Sequence, residues 1–242
     1  MISLFKKNIL KLFNIIKNDL YSKSKIFKNY PFDKFNFIDP GDNIIFCGIW
    51  KVETVKSLIK SNLNKGYIYL FEADPNNYNI LIREKQRRNW ENVKIFNTAI
   101  ADKKGEMKFQ VSKDSKKNKL NLSGVRSKNC PDEIYDDEII VEVNTLDNLI
   151  NLYNIKPDII FFTISGAEYY GLQGLKNTLK NQQKNKRGLK LWIRALLFDE
   201  NLKAPTYELS IEYLKSFKNL EILVNSPLEK KNYGCNLFAY FK

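Results

Sequence analysis

From residue 43 onward, short apolar runs alternate with longer stretches of helical periodicity. The runs are "NIIFCG" (43–48), "YIYLFE" (67–72), "VKIFNT" (93–98), "DIIFFTIS" (158–165) and "LKLWIRALLF" (189–198). Neighbouring positions are apolar, so neither face is left for water. That is the pattern of strands covered on both sides, as in a parallel sheet under helices. Between them, residues 53–63 carry Val55, Leu58, Ile59 and Leu63 at helical spacing. Residues 76–88 follow Pro75, whose fixed φ suits a first helical turn. Residues 145–153 open on Thr145, a good N-cap. Residues 167–180 read as one helix beyond Gly166, and residues 206–218 follow Pro205 with Glu208 in the first turn.

Strands alternating with helices predict an α/β fold with a doubly wound, mostly parallel sheet and helices on both faces. The ending differs. "LEILVN" (220–225) and "CNLFAYF" (235–241) are separated by a polar link too short for a helix, so they should pair antiparallel. With the five earlier runs they make a seven-stranded sheet. Residues 101–144 are an excursion in which "EMKFQV" and "EIIVEV" can pair. The polar stretch between them is long enough to be a lid, a binding loop or a disordered segment. The chain divides into an N-terminal amphipathic helix and linker, residues 1–40, and one α/β domain, residues 41–242.

Composition narrows the chemistry. The 242 residues include 40 Lys plus Arg against 27 Asp plus Glu, a formal charge of +13. That excess suits nucleic acid, anionic lipid or an acidic substrate, or it reflects the general richness of the chain in Lys, Asn and Ile. No nucleic-acid-binding motif accompanies it. The chain has no histidine, which excludes Ser-His-Asp, Cys-His and His-ligated metal chemistry. Cys47, Cys130 and Cys235 are far apart and form no C-x-x-C pair, which points to reduced thiols in a cytoplasmic protein and to no metal site. The first thirty residues hold seven lysines, with Ile2, Phe5, Ile9, Leu12, Phe13, Ile16 and Leu20 at helical spacing. Such a helix either packs on its own domain or lies peripherally on an anionic inner membrane face.

The stretch "YIYLFEADPNN" (67–77) ends an apolar strand on two acids, Glu72 and Asp74. They are either polar punctuation at a strand tip or a grip for a vicinal diol. An open α/β sheet binds ligands at the carboxyl ends of its strands. Glu72 falls about two dozen residues past Gly48, near the roughly 20-residue spacing at which an acid reaches a ribose hydroxyl. The loop "GIWKVET" (48–54) has one glycine, so the pyrophosphate-binding G-x-G-x-x-G is absent. A nucleoside without phosphates fits such a loop better, which favours S-adenosylmethionine over a dinucleotide.

Four segments, "FEADPNNYNIL" (71–81), "NTAIADKKGEMKF" (97–109), "VEVNTLDNLI" (141–150) and "PDIIFFTISGAEYYGLQGL" (157–175), resemble in order and spacing the FkbM-type methyltransferases. That family is a branch of the Rossmann-like class I S-adenosylmethionine-dependent fold, whose last strand is inserted antiparallel. The resemblance implies cofactor contacts at Gly48, at Glu72 through the ribose, at Ala99 beside the adenine and at Thr163 near the reactive centre. It places a variable substrate-facing region at residues 112–137, where Ser123 and Arg126 are candidate acceptor contacts. Two motifs depart from the family. Its D-V-G-A-N-x-G is "FCGIWKV" (46–52) here, and its K-I-D-V-E-G-A-E is "FFTISGAE" (161–168), so Phe46, Thr163 and Ser165 stand where acids are usual.

Methyl transfer from a sulfonium to an oxygen or nitrogen needs mainly alignment, which can supply roughly 7–11 kcal/mol. A hydroxyl acceptor also needs a base, and without histidine that is a carboxylate or solvent. Glu168 is the candidate base by resemblance and position. The same residue also reads as a helix-start acid interacting with the dipole, worth about 0.3–1 kcal/mol. The leading expectation is an O-directed methyltransferase acting on a sugar, glycan or small metabolite. The alternatives are a noncatalytic binding or scaffold protein that keeps the fold, and a basic peripheral protein acting on nucleic acid or membrane.

Overall fold

Strand β1 (Ile44–Cys47) occupies the middle of the sheet, fully buried on both faces. The computed structural model describes residues 38–49, 51–111, 119–120, 137–185, 188–196, 206–225 and 234–241. The expected N-terminal helix, Trp50, Ser123 and Arg126 lie outside the described residues. Residues Pro40–Lys242 form one unit.

After β1 come α1 (Val52–Asn62), β2 (Ile68–Phe71), α2 (Pro75–Arg88) and β3 (Val93–Phe96). The short β4 (Ala99–Ile100), β5 (Gly105–Val111), β6 (Lys119–Leu120) and β7 (Asp137–Asn144) follow. Then come α3 (Leu146–Leu152), β8 (Ile159–Phe162), α4 (Glu168–Gln173), α5 (Lys176–Asn185) and β9 (Lys190–Leu196). The chain closes with α6 (Thr206–Lys215), β10 (Leu220–Asn225) and β11 (Gly234–Phe241).

The main sheet has seven strands in the order β10-β11-β9-β8-β1-β2-β3. All are parallel except β11, which is antiparallel to both β10 and β9. Strand order therefore reverses at β1, with β2 on one side and β8 on the other. The right-handed crossovers that parallel strands require send the helices of the two halves to opposite faces. On one face Ile45, Cys47, Phe71, Phe162 and Ile193 pack with Leu149 of α3, Leu172 of α4, Leu179 of α5 and Leu214 of α6. The alternate residues stack with one another: Phe46 on Phe161 at 5.2 Å between ring centroids, and Phe161 against Trp192 at 5.7 Å.

Three local expectations change. Residues 167–180 are two helices, not one, because the chain breaks at Gly174. A Cβ there would run into the carbonyl oxygen of Ala101, so this backbone must pass bare against its neighbour. Strand β3 is not covered on both faces. It is the sheet edge, with Lys94 exposed and its ammonium 5.1 Å and 5.5 Å from the ring centroids of Tyr67 and Tyr69. A lysine on an edge strand discourages pairing with another chain. Finally, the excursion is a second sheet, β4-β7-β5-β6. Its β5 and β7 pair antiparallel as expected, while the parallel pairing of β4 with β7 had no two-residue signal in the sequence.

Thr145 caps α3 by accepting the Asn148 N–H at 3.2 Å. Asp74 caps α2 by accepting the Asn76 N–H at 2.9 Å, with Pro75 in the first turn. Of the two acids at the tip of β2, Asp74 thus serves as a helix cap.

Candidate functional site

The registers of the parallel strands bring the candidate residues level. Cys47 pairs with Phe71 and with Phe162, and Phe71 pairs with Phe96. The next residue on each strand is therefore Gly48, Glu72, Thr163 and Asn97, side by side along the carboxyl edge of the sheet. This is the point where strand order reverses, the usual ligand crevice of an open α/β sheet.

Hydrogen bonds knit the edge together. The Gly48 N–H donates to the Phe71 carbonyl at 2.9 Å, the Thr163 N–H to the Cys47 carbonyl at 2.9 Å and the Glu72 N–H to the Phe96 carbonyl at 3.0 Å. The Thr163 hydroxyl donates to the carbonyls of Cys47, at 3.1 Å, and Gly48. Where an acid is usual, a neutral hydroxyl thus latches β8 to the loop after β1. Gly48 has φ +81°, and a Cβ on it would collide with the Thr163 carbonyl. In this structure the bare backbone of Gly48 is explained first by its close approach to β8.

Glu72 is 5 % exposed. Its Oε2 accepts the Ile49 N–H at 2.7 Å, and its Oε1 accepts the Asp74 N–H at 2.9 Å. The carboxylate bridges the loops after β1 and β2. Asn97, which the sequence reading did not single out, holds the same tip from behind. Its Nδ2 donates to the carbonyls of Glu72 at 2.9 Å and Ala73 at 3.1 Å. Its only sequence signal is a side-chain amide directly after an apolar run. Ala99 lies in β4, within a small apolar cluster against which Ala73 and Ile164 pack, so it sits beside the strand tips.

Glu168 is placed differently. It is 0 % exposed, and its Oε2 turns back to accept the Gly166 N–H at 2.9 Å. Expected as a base facing an acceptor, it is instead sealed under the turn that follows β8. At a helix start the backbone N–H groups draw a carboxylate inward, and here the side chain followed them.

Burial governs the proton affinities. It pushes Glu72 up to about 8, against the opposing pull of the Asp74 and Ile49 N–H groups. It pushes Glu168 up to about 7, opposed mainly by backbone N–H groups and then by Arg194. Cys47 is buried and raised well above its ordinary value by the same cause, which makes it a poor nucleophile.

These shifts have a sign for stability. Both carboxyls bind protons more tightly folded than unfolded, so their contribution is complete below about pH 4.5 and is lost as pH rises through about 7 and 8. The slope is about 1.4 kcal/mol per pH unit for each group within its window. With no histidine in the chain, little else titrates there. The thermal midpoint of the ligand-free protein should therefore fall between pH 5.5 and pH 8.5, as followed by circular dichroism. A midpoint that rises over that range would show both groups to be ionised at ordinary cost.

Among the described residues no group of His, Cys, Asp and Glu is arranged to hold a metal ion, and no helix is long and apolar enough to cross a membrane.

The family model described as the methyltransferase FkbM domain matches residues 41–186. No curated protein sequence matches the chain. Among solved structures, the methyltransferase FkbM from Methylobacillus flagellatus KT superposes with a TM-score of 0.56 at 14% identity, over 84% of this chain and 44% of that one. The chain thus spans less than half the length of that protein. A protein provisionally assigned as an rRNA methylase, from Clostridium thermocellum, superposes with a TM-score of 0.51 at 10% identity, over 85% of this chain and 89% of that one. At such identities the structures speak for the fold, which is the Rossmann-like methyltransferase fold. The family match covers the sheet's reversal point and every strand tip described above, and on that ground the chain belongs to the FkbM methyltransferase domain family.

Proposed function

We propose that the chain is an S-adenosylmethionine-dependent methyltransferase that methylates a hydroxyl of a sugar, a glycan or a small metabolite. The carrying observation is Glu72, a carboxylate at the reversal point of the sheet that accepts the Ile49 N–H through Oε2 and the Asp74 N–H through Oε1. A carboxylate offers about four lone-pair sites, so each oxygen can accept a ribose hydroxyl beside a backbone N–H. A carboxylate already desolvated at that position gains from two further donors, and a sulfonium nearby favours its charged form. The residues therefore fit the cofactor.

When bound, the cofactor supplies an electrophilic methyl group. The protein supplies alignment. Glu72 holds the ribose, Ala99 borders the adenine side, and Gly48 with Thr163 forms the floor between β1 and β8. Asn97 keeps the Glu72 backbone in register. Proton removal from a hydroxyl acceptor falls to a carboxylate or to solvent. Ser123 and Arg126 remain the proposed acceptor contacts.

Titration calorimetry with S-adenosylhomocysteine at pH 8 tests the reading, followed by transfer of labelled methyl to a panel of glycans and small hydroxylated metabolites. The expected result is binding together with transfer to one class. Binding without transfer to any class favours the noncatalytic reading, which the acid-to-neutral changes at Phe46, Thr163 and Ser165 motivate. Absence of binding overturns the methyltransferase reading, and methyl transfer to any acceptor overturns the noncatalytic one. Because binding the ribose favours the ionised form of Glu72, affinity should rise about tenfold per pH unit below pH 8 and then level off. Affinity that is flat from pH 6 to pH 9 would remove Glu72 from the site.

A further inference from the structure

Strand β8 ends in a turn with unusual backbone. Ser165 has φ +49° and Gly166 φ +96°, two left-handed residues in succession. A left-handed conformation is unfavourable for serine and persists where surroundings over-determine it. The Ala167 N–H closes the turn on the Ile164 carbonyl at 3.2 Å. Thr163, Ile164 and Ser165 are partly exposed, whereas Gly166, Ala167 and Glu168 are buried beneath them. From below, the Glu168 carboxylate accepts the Gly166 N–H at 2.9 Å through Oε2, while its Oε1 finds no hydrogen-bond partner. Such a group is costly to bury, so it is an improbable place for an acid that only decorates a helix start.

What the turn carries lies against the floor of the site. A Cβ on Gly48 would meet the Thr163 carbonyl and the Ile164 Cγ2, so the two segments are in direct contact. A Cβ on Gly171 in α4 would meet the Phe162 ring and the Ile164 Cδ1, which fixes the helix against the same residues. The turn is thus clamped between the loop after β1 and α4, with the Gly166 N–H held by the buried Glu168 carboxylate.

We propose that Glu168 is a positioning residue, whose buried carboxylate staples the left-handed Ser165–Gly166 turn and so holds Thr163 and Ile164 against Gly48 at the cofactor site. The inference rests on the cofactor site proposed above. The role needs an acceptor oxygen, not a charge or a proton. Glutamine offers that oxygen, alanine offers none, and the shorter aspartate falls short of Gly166.

The experiment compares Glu168→Gln, Glu168→Asp and Glu168→Ala by two readouts: S-adenosylhomocysteine affinity by calorimetry at pH 8, and amide hydrogen exchange of the peptide spanning the turn. Glu168→Gln should keep affinity within about threefold of the wild type and keep the Gly166 amide protected. Glu168→Ala and Glu168→Asp should lose about tenfold in affinity and expose that amide, with the β1 and β8 amides still protected. Wild-type behaviour of Glu168→Ala in both readouts overturns the staple. So does loss of affinity in Glu168→Gln with the turn still protected, because charge would then be the active property. Should Glu168→Ala fail to fold, Glu168→Asp decides in its place: loss of affinity with an exposed turn amide supports the staple, and wild-type behaviour in both readouts overturns it. A wild type that does not bind S-adenosylhomocysteine overturns the proposed function instead, while the exchange comparison still reads the staple.

Discussion

Replacing Glu72 by glutamine is expected to weaken S-adenosylhomocysteine binding about a hundredfold at pH 8, or about 2.7 kcal/mol. Two hydrogen bonds to a charged acceptor contribute about 1.5–3 kcal/mol each. Glutamine retains one acceptor oxygen, so part of that survives and the rest is lost. The fold should persist with a modest penalty. Glu72 accepts the N–H groups of Ile49 and Asp74 on separate oxygens, and the glutamine amide can accept only one of them. The other N–H then faces a donor, at a cost of about 1–3 kcal/mol. The variant should also lose the rise in affinity with pH, because the group that titrates is gone. Calorimetry at several pH values reads both effects. Equal affinity for wild type and variant at pH 8 would mean that Glu72 serves only to tie two loops together.

Gly48→Ala is expected to destabilise the protein strongly. The residue has φ +81°, where an L side chain costs about 1–2 kcal/mol. The added Cβ would also strike the Thr163 carbonyl, which is backbone of the adjacent strand and cannot rotate away. Relief requires β1 and β8 to separate at their tips, which breaks the Thr163 N–H bond to Cys47. Together these effects should cost about 3 kcal/mol or more. For a domain of this size that lowers the thermal midpoint by roughly 10 °C. Binding of S-adenosylhomocysteine should fall with it, because the same separation moves Ile49 away from Glu72. A thermal midpoint within two degrees of wild type, about 0.5–1 kcal/mol, would show that the loop after β1 has room the structure denies it.

Both results turn on the strand registers, which marks the limit of what the sequence discloses. The apolar runs that became β1, β2, β8 and β9 were legible because burial on both faces leaves no polar alternation. The antiparallel ending was legible because the link before Gly234 is too short for a crossover helix. The alignment of Gly48, Glu72, Asn97 and Thr163 was not legible from spacing, since it depends on Cys47 pairing with Phe71 on one side and Phe162 on the other. Asn97 went unnoticed for that reason: an amide after a strand acquires meaning only when its neighbour strand is known. The break at Gly174 was hidden because a glycine within helical periodicity can be tolerated, and only the approach of Ala101 makes it necessary. Glu168 shows the same limit in its chemistry. An acid at a helix start looks identical whether it faces water or turns under the chain, and here it turned under.

The most direct measurement pairs Glu72 with the hydroxyls it is said to hold. S-adenosylhomocysteine and its 2′,3′-dideoxy analogue are titrated into the wild type and into Glu72→Gln. The wild type should lose about a hundredfold on removal of the hydroxyls, and Glu72→Gln should lose only a few-fold, a coupling of about 2 kcal/mol or more. Equal losses in the two proteins would contradict the account, because the ribose would then be held by some other group.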